Sequence, residues 1–356
     1  MTSTRRHIIK SAGVLGIGLA APAVWTSARA ATSLTCTDSG GLYTTAFTEA
    51  FYKPFTRETG IEVVSVSRPA NPAAVVKAQV ETGAYQWDVS GSVTPDIANL
   101  LETAGLLDPL DTTGPNMSAI PASMKTPTFV ASGLTAFVMA YRHDQIKTKP
   151  ASFADFWNPE KFPGRRALRK IARDTLESAL RSMGRSPSPE VYSALARPGG
   201  LDEVFKQLDL IKPQVKVWWT AAPQAAQLLE SGEVDICPTY NGRAQAAIEA
   251  GAPVTISWDQ GFYTLEGWII PKGSPKADLA RQLVQFASRP DRQAAYTKIL
   301  ASGPTHPGAF EFVDKTRAET LPSAPQNLSK LSRIDEVFWS QHSEINERFN
   351  AWLLAP

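Results

Sequence analysis

Apolar positions along this chain switch repeatedly between two spacings. "SLTCTDSGG" (33–41) is a run of strand formers closed by two glycines, which predicts a strand and a tight turn. In "LYTTAFTEAFYKPFTRETG" (42–60), Phe47, Phe51 and Phe55 recur at four-residue steps and Gly60 closes the run, the mark of an amphipathic helix. "IEVVSVS", "PAAVVKAQVETG", "QWDVSGS" and "TPDIANLLETAG" continue as strand, helix, strand and helix, giving three βα units before residue 106. "GLTAFVMAYR" (133–142) predicts a strand, and "SFADFWNPEKFPGRRALRK" (152–170) a helix with a proline-broken exit. Helices follow at "DTLESALRSMG" (174–184) and "GLDEVFKQLDLI", then the strand "QVKVWW", the helix "APQAAQLLESG", the strand "VDICPTYNG" and the helix "RAQAAIEAG". "PVTISW" and "GFYTLEGWIIPKGSP" predict strands, and the pattern beyond residue 275 is helical. Strands alternating with helices define an α/β protein with a mainly parallel sheet flanked by helices.

A chain of 356 residues with 43% hydrophobic and 20% charged content is too long for one compact core and suits two lobes. The first 30 residues stand apart. Arg5, Arg6 and Lys10 precede a small and apolar run that ends in Ala28-Arg29-Ala30, a cleavage site of the A-x-A kind. This is the pattern of an export signal. Arg5-Arg6 followed by His7, Ile8, Ile9 and Lys10 resembles the twin-arginine variety, with Ile8 where Phe is commonest. Removing residues 1–30 takes away four basic residues and no acid, so 36 basic against 34 acidic residues become 32 against 34. No clustered basic face points to nucleic acid, and no other run is long and apolar enough to span a bilayer.

Catalytic and metal-binding patterns are absent. The four histidines, His7, His143, His306 and His342, are scattered, and neither H-E-x-x-H, C-x-x-C, G-x-S-x-G nor a P-loop occurs. No catalytic residue, metal site or cofactor is expected. Cys36 and Cys237 both fall in predicted strands, so two separate buried thiols are expected rather than a bridge.

Open α/β sheets bind ligands beyond the carboxyl ends of their strands. The loops there are 37–41, 90–94, 169–174, 218–222 and 239–243. Gly40 and Gly41 permit close backbone approach, and Ser39, Ser92 and Thr94 offer hydroxyls. Trp218 and Trp219 face opposite ways on their strand; one packs inward, and Trp219 with Thr220 is a candidate for the cleft. Tyr240 is either core or a stacking platform, and Arg243 either an ion-pair partner or an anion site. "DTLE" reads as a capping box with Asp174 as N-cap and Glu177 three residues on, and Arg169 and Arg173 flank it. Glu266 sits inside the apolar run of "GFYTLEGWIIP". A carboxylate there is costly to bury alone, so its partner is an ammonium from solution or an arginine such as Arg243.

The segments "FTRETGIEVVSVS", "ESGEVDICPTYNGRAQAAIEAGAPVTISWDQGFYTLEGWIIPKGSP" and "ARQLVQFASRPDRQAAYTKILASGPTHPGA" resemble the periplasmic solute-binding proteins of ABC importers, in the spermidine/putrescine-binding branch. The likeness runs through residues 33–350. It implies a type II-like clamp with a solute held between lobes: 31–140 plus 268–310 as lobe one, 141–267 as lobe two, and 311–356 as helices packed across both. It further implies a monomer in the periplasm, a small amine solute and a permease in the inner membrane. Glu266 and Asp174 align with acids that grip ammonium groups in polyamine binders, and Tyr240 stands where Trp is common. Ser39 and Thr264 replace rings, and a further acid is lost at Lys170 or Ile171. A polyamine-like cation is therefore the first expectation, and a zwitterion resembling an amino acid or an aminophosphonate the second. A ferric-ion carrier or an exported enzyme comes behind both.

Overall fold

A computed structural model describes residues 33–69 and 72–355. The export segment read in residues 1–30 lies outside them. Eleven strands among the described residues form one mixed sheet. Its main strands are β1 (Ser33–Asp38), β2 (Glu62–Ser67), β3 (Val89–Val93), β4 (Phe129–Arg142), β5 (Arg166–Arg169), β6 (Val215–Trp219), β7 (Ile236–Tyr240) and β8 (Val254–Pro271). They lie in the order β2-β1-β3-β8-β4-β7-β5-β6. The outer groups, β2-β1-β3 and β7-β5-β6, are parallel within themselves. β4 and β8 are antiparallel to each other and join the two groups.

These two strands are 14 and 18 residues long, enough to pass through both halves. The expected strands "PVTISW" and "GFYTLEGWIIP" are one strand, with Gln260 at positive φ where the pairing with β4 is interrupted. A second irregularity falls between Glu266 and Gly267, where the β4 partner jumps from Gly133 to Ala131. The skipped Ser132 turns its hydroxyl onto the Glu266 carbonyl at 3.1 Å. Bulges of this kind are common beside functional sites, and this one falls at Glu266.

Each half has its own apolar core. In the first, Phe47 packs within 4.9 Å of Trp268 and 5.4 Å of Tyr296, ring centre to ring centre. The helix carrying Phe47, Phe51 and Phe55 runs over 42–59 with a π-helical turn at Thr48–Tyr52. Pro54 follows at once; a wider turn accommodates a residue that has no N–H to donate. In the second, Phe137 stacks on Phe262 at 5.0 Å and on Trp219 at 6.3 Å, with the Tyr240 ring edge-on at 5.3 Å. A further cluster joins the helices Ala172–Ser182 and Asp202–Ile211 to Phe338, Trp339, Ile345 and Phe349 of the C-terminal helices.

Three expectations need correction. The stretch 152–170 holds only a short helix, Phe153–Phe156, and then strand β5. Arg166 at its start is buried because its guanidinium donates to the carbonyls of Phe156, Phe162 and Gly164. The helix expected from Asp174 begins at Ala172 with Ile171 as N-cap, so Asp174 sits in the first turn and makes no capping bond. Beyond residue 275 the chain also contributes a short strand, Ser332–Arg333, beside Phe262 and Tyr263 of β8. Cys36 and Cys237 are buried free thiols on β1 and β7.

Candidate functional site

A cavity of about 650 Å³ opens between the halves, a size that suits a small molecule. The loop after β1 supplies Ser39, Gly40 and Gly41, followed by Leu42 and Tyr43. Thr94 joins them from the loop after β3. The joining strands supply Thr135, Thr264 and Glu266, with the two threonine hydroxyls 3.3 Å apart. From the other half come Arg173, Tyr240, Gly242 and Arg243. The segment 299–302 and the ion pair of Arg317 with Glu249, at 3.0 Å, add to the lining.

Glu266 has an asymmetric environment. Its Oε1 accepts the Tyr43 hydroxyl at 2.9 Å. Its Oε2 is buried and has no partner among the described residues. Burial pushes the carboxyl up to about 7, although the Tyr43 hydrogen bond and the nearby Arg68 guanidinium act to lower it. Arg68 is held by the carbonyls of Gly91 and Ser92, at 3.2 and 2.7 Å. The partner of Glu266 is thus Tyr43, not Arg243.

The facing half is built around Asp174. This carboxylate is fully buried and accepts from Arg169, from Arg173 Nε at 2.8 Å and from the Tyr240 hydroxyl at 3.1 Å. Burial pushes its pKa up, but the two guanidiniums outweigh it and hold the group below the usual carboxylate range. Arg169 lies over the Trp219 and Tyr240 rings at 5.3 and 5.0 Å, a cation–π seat. Tyr240 accepts from Arg173 Nη2 at 3.0 Å, and burial, then Asp174, pushes its hydroxyl up to about 12. Arg173 lines the cavity with its side chain 27% exposed, and Nη1 makes no hydrogen bond among the described residues. Arg243 is half-buried there and makes no ion pair or hydrogen bond among the described residues.

Of the residues expected at the site, Ser39, Gly40, Gly41, Thr94, Tyr240, Arg243, Thr264 and Glu266 line the cavity. Four do not. Ser92 is buried at φ 54°, its carbonyl turned to Arg68. Asp174 is covered by its arginines. Trp219 is enclosed in the core, while Trp218 packs on Phe349 and Trp352. Thr220 is exposed and donates its N–H to Gln224. Tyr43, Thr135, Arg317 and Glu249 were not foreseen. Tyr43 directly follows "SGGL", the one local hint of its place; the others carry no local signal.

Two halves joined by a pair of long strands around a solute-sized cavity, with no group of three His, Cys, Asp or Glu residues able to hold a metal among the described residues, define a clamp-type binding protein. The chain belongs to the bacterial extracellular solute-binding protein family, whose profile matches residues 50–323. It is 36% identical over 351 residues to a gamma-aminobutyric acid-binding protein of Pseudomonas aeruginosa, covering 97% of each chain. It is 26% identical over 317 residues to a spermidine/putrescine-binding periplasmic protein of Escherichia coli, covering 83% of each. The solved ABC transporter substrate-binding protein of Bradyrhizobium japonicum superposes with a TM-score of 0.79 at 33% identity, over 90% of this chain and 99% of that one. The chain is therefore a periplasmic receptor that serves an ABC importer, taking a small molecule for a permease, and it is not an enzyme.

Proposed function

We propose that the solute is a short zwitterion of the ω-amino acid type, with its ammonium at Glu266 and its carboxylate at Arg173 and Arg243. The observation that carries this reading is the pairing of unused groups in one cavity. Among the described residues Glu266 has a carboxylate oxygen without a partner on one half, and Arg173 Nη1 and the Arg243 guanidinium are donors without partners on the other. Formal charge points the same way. Asp38, Glu266 and Arg68 sum to one negative charge, and Asp174, Arg169 and Arg173 to one positive. A long polyamine would meet a repelling second half. The resemblance to the gamma-aminobutyric acid-binding protein is in keeping with this.

The same reading treats residues 31–140 plus 268–310 and 141–267 as lobes that close on the solute, with 311–356 packed across both. It takes the protein to be a monomer, exported after cleavage behind Ala30. Ser39, Gly40, Gly41, Thr94, Tyr240 and Thr264 would shape the cavity wall around the solute's methylene chain.

Calorimetry with 4-aminobutanoate, 5-aminopentanoate, 2-aminoethylphosphonate, putrescine and spermidine tests the reading. An ω-amino acid is expected to bind more tightly than about 10 μM, roughly −7 kcal/mol, with both polyamines at least tenfold weaker. A diamine as the tightest ligand would overturn it.

A further inference from the structure

We infer that Arg173 is a built-in cation that occupies the Asp174 carboxylate and so keeps a second ammonium group out of the cleft, making it the residue that selects a zwitterion over a diamine. The inference rests on the reading of the solute as an ω-amino acid. Three donors converge on Asp174, and they do not stand in equivalent places. Arg169 lies behind the carboxylate, over the Trp219 and Tyr240 rings, and does not reach the cavity. The Tyr240 hydroxyl shares Oδ2 with Arg169. Among the described residues Arg173 alone holds Oδ1, and it alone of the two arginines lines the cavity.

Removing the Arg173 charge therefore does two things. It takes the cluster from one net positive charge to none, which ends the repulsion of an approaching ammonium. It also frees Oδ1 on the side where Arg173 fills space next to the cavity. A buried carboxylate oxygen that loses its charged donor is left unsatisfied, and a diamine already anchored at Glu266 carries an ammonium that can donate to it. The remaining partner, Arg169, keeps Asp174 ionised. Glu266 thus stands at the cavity wall, and a second carboxylate, Asp174, lies behind the chain's own Arg173 guanidinium.

Calorimetry on the mature chain with putrescine, cadaverine and 4-aminobutanoate tests this, using the wild type, Arg173→Met and Arg173→Gln. Gln keeps a neutral donor for Asp174 if the Met variant fails to fold. Diamine affinity is expected to rise at least tenfold in the variant, and 4-aminobutanoate affinity to fall at least tenfold. In Arg173→Gln/Asp174→Asn the diamine gain is expected to disappear. A folded Arg173 variant with unchanged diamine affinity overturns the inference, as does a gain that survives removal of the Asp174 charge. If the wild type binds no ω-amino acid, the zwitterion reading falls. The diamine arm still decides the role of Arg173: a gain that depends on Asp174 supports it, and no gain overturns it.

Discussion

Tyr43 and Glu266 are 223 residues apart in the chain and 2.9 Å apart in the fold, with the phenol donating to one carboxylate oxygen and the other, buried at the cavity wall, left without a partner among the described residues. The contact orients the acid without neutralising it. Glu266→Gln removes the charge and keeps the shape. Affinity for an ω-amino acid is expected to drop by about 1.5–3 kcal/mol, the worth of a charged hydrogen bond, with secondary structure unchanged by circular dichroism. Unaltered calorimetric affinity would remove Glu266 from the site.

Binding should depend on pH near neutrality. The Glu266 carboxyl is pushed up to about 7 by burial. An ammonium favours the ionised acid, so the free protein must lose a proton as the solute binds. Affinity is expected to strengthen from pH 5.5 to pH 8 and to level off above that. In Glu266→Gln the slope should flatten. Equal affinities across this range in the wild type would contradict the assignment.

Arg243 tests the other end of the solute. It makes no ion pair among the described residues, so Arg243→Ala should leave the melting temperature nearly unchanged while weakening an ω-amino acid by about 1–3 kcal/mol. Loss of stability with intact affinity would instead mark a structural role.

Stability has its own pH dependence. Burial pushes Glu177, Glu266 and Glu336 each up to about 7 from an ordinary value of 4.5. Between those values the folded chain holds more protons than the unfolded one, so stability falls as pH rises through this window. Glu177 is fully buried, with Oε1 accepting from Tyr192 and Trp339 at 2.6 and 2.7 Å and Oε2 unpartnered. Glu177→Gln is expected to be more stable than the wild type at pH 8, by about 1–2 kcal/mol, and no more stable at pH 4.5. Urea unfolding of the unliganded protein at both pH values checks this.

The two thiols provide a control on the fold. Cys36 and Cys237 are buried on strands of different halves, and burial raises both thiol pKa values. Ellman's reagent should find no reactive thiol in the native protein and two after unfolding. Rapid native labelling would mean that one strand is open.

Much of the secondary structure was legible because it rests on local spacing. The four-residue steps of Phe47, Phe51 and Phe55 specify a helix face whatever lies across from it. β5 was missed because Arg166 and Arg169 look like surface residues until the carbonyls around one and the rings beneath the other are in place. Asp174 was misread for a related reason. "DTLE" suits a cap locally, but the chain enters that helix two residues earlier, and Arg169, Arg173 and Tyr240 claim the carboxylate.

By itself the sequence determined the α/β order, the strand-end loops that meet at the cleft, and the presence of an acid within an apolar strand. Those follow from periodicity and turn chemistry, which act over a few residues. Only the tertiary structure decided which charges are spent and which are free. Hydrogen bonding and ion pairing depend on distance through space: Tyr43 for Glu266 and Tyr240 for Asp174 lie 223 and 66 residues away, and Arg169 and Arg173, though near Asp174 in the chain, are turned onto its carboxylate only by the fold. That difference turns one of two expected ammonium sites into a closed ion pair and leaves its arginine facing the cavity.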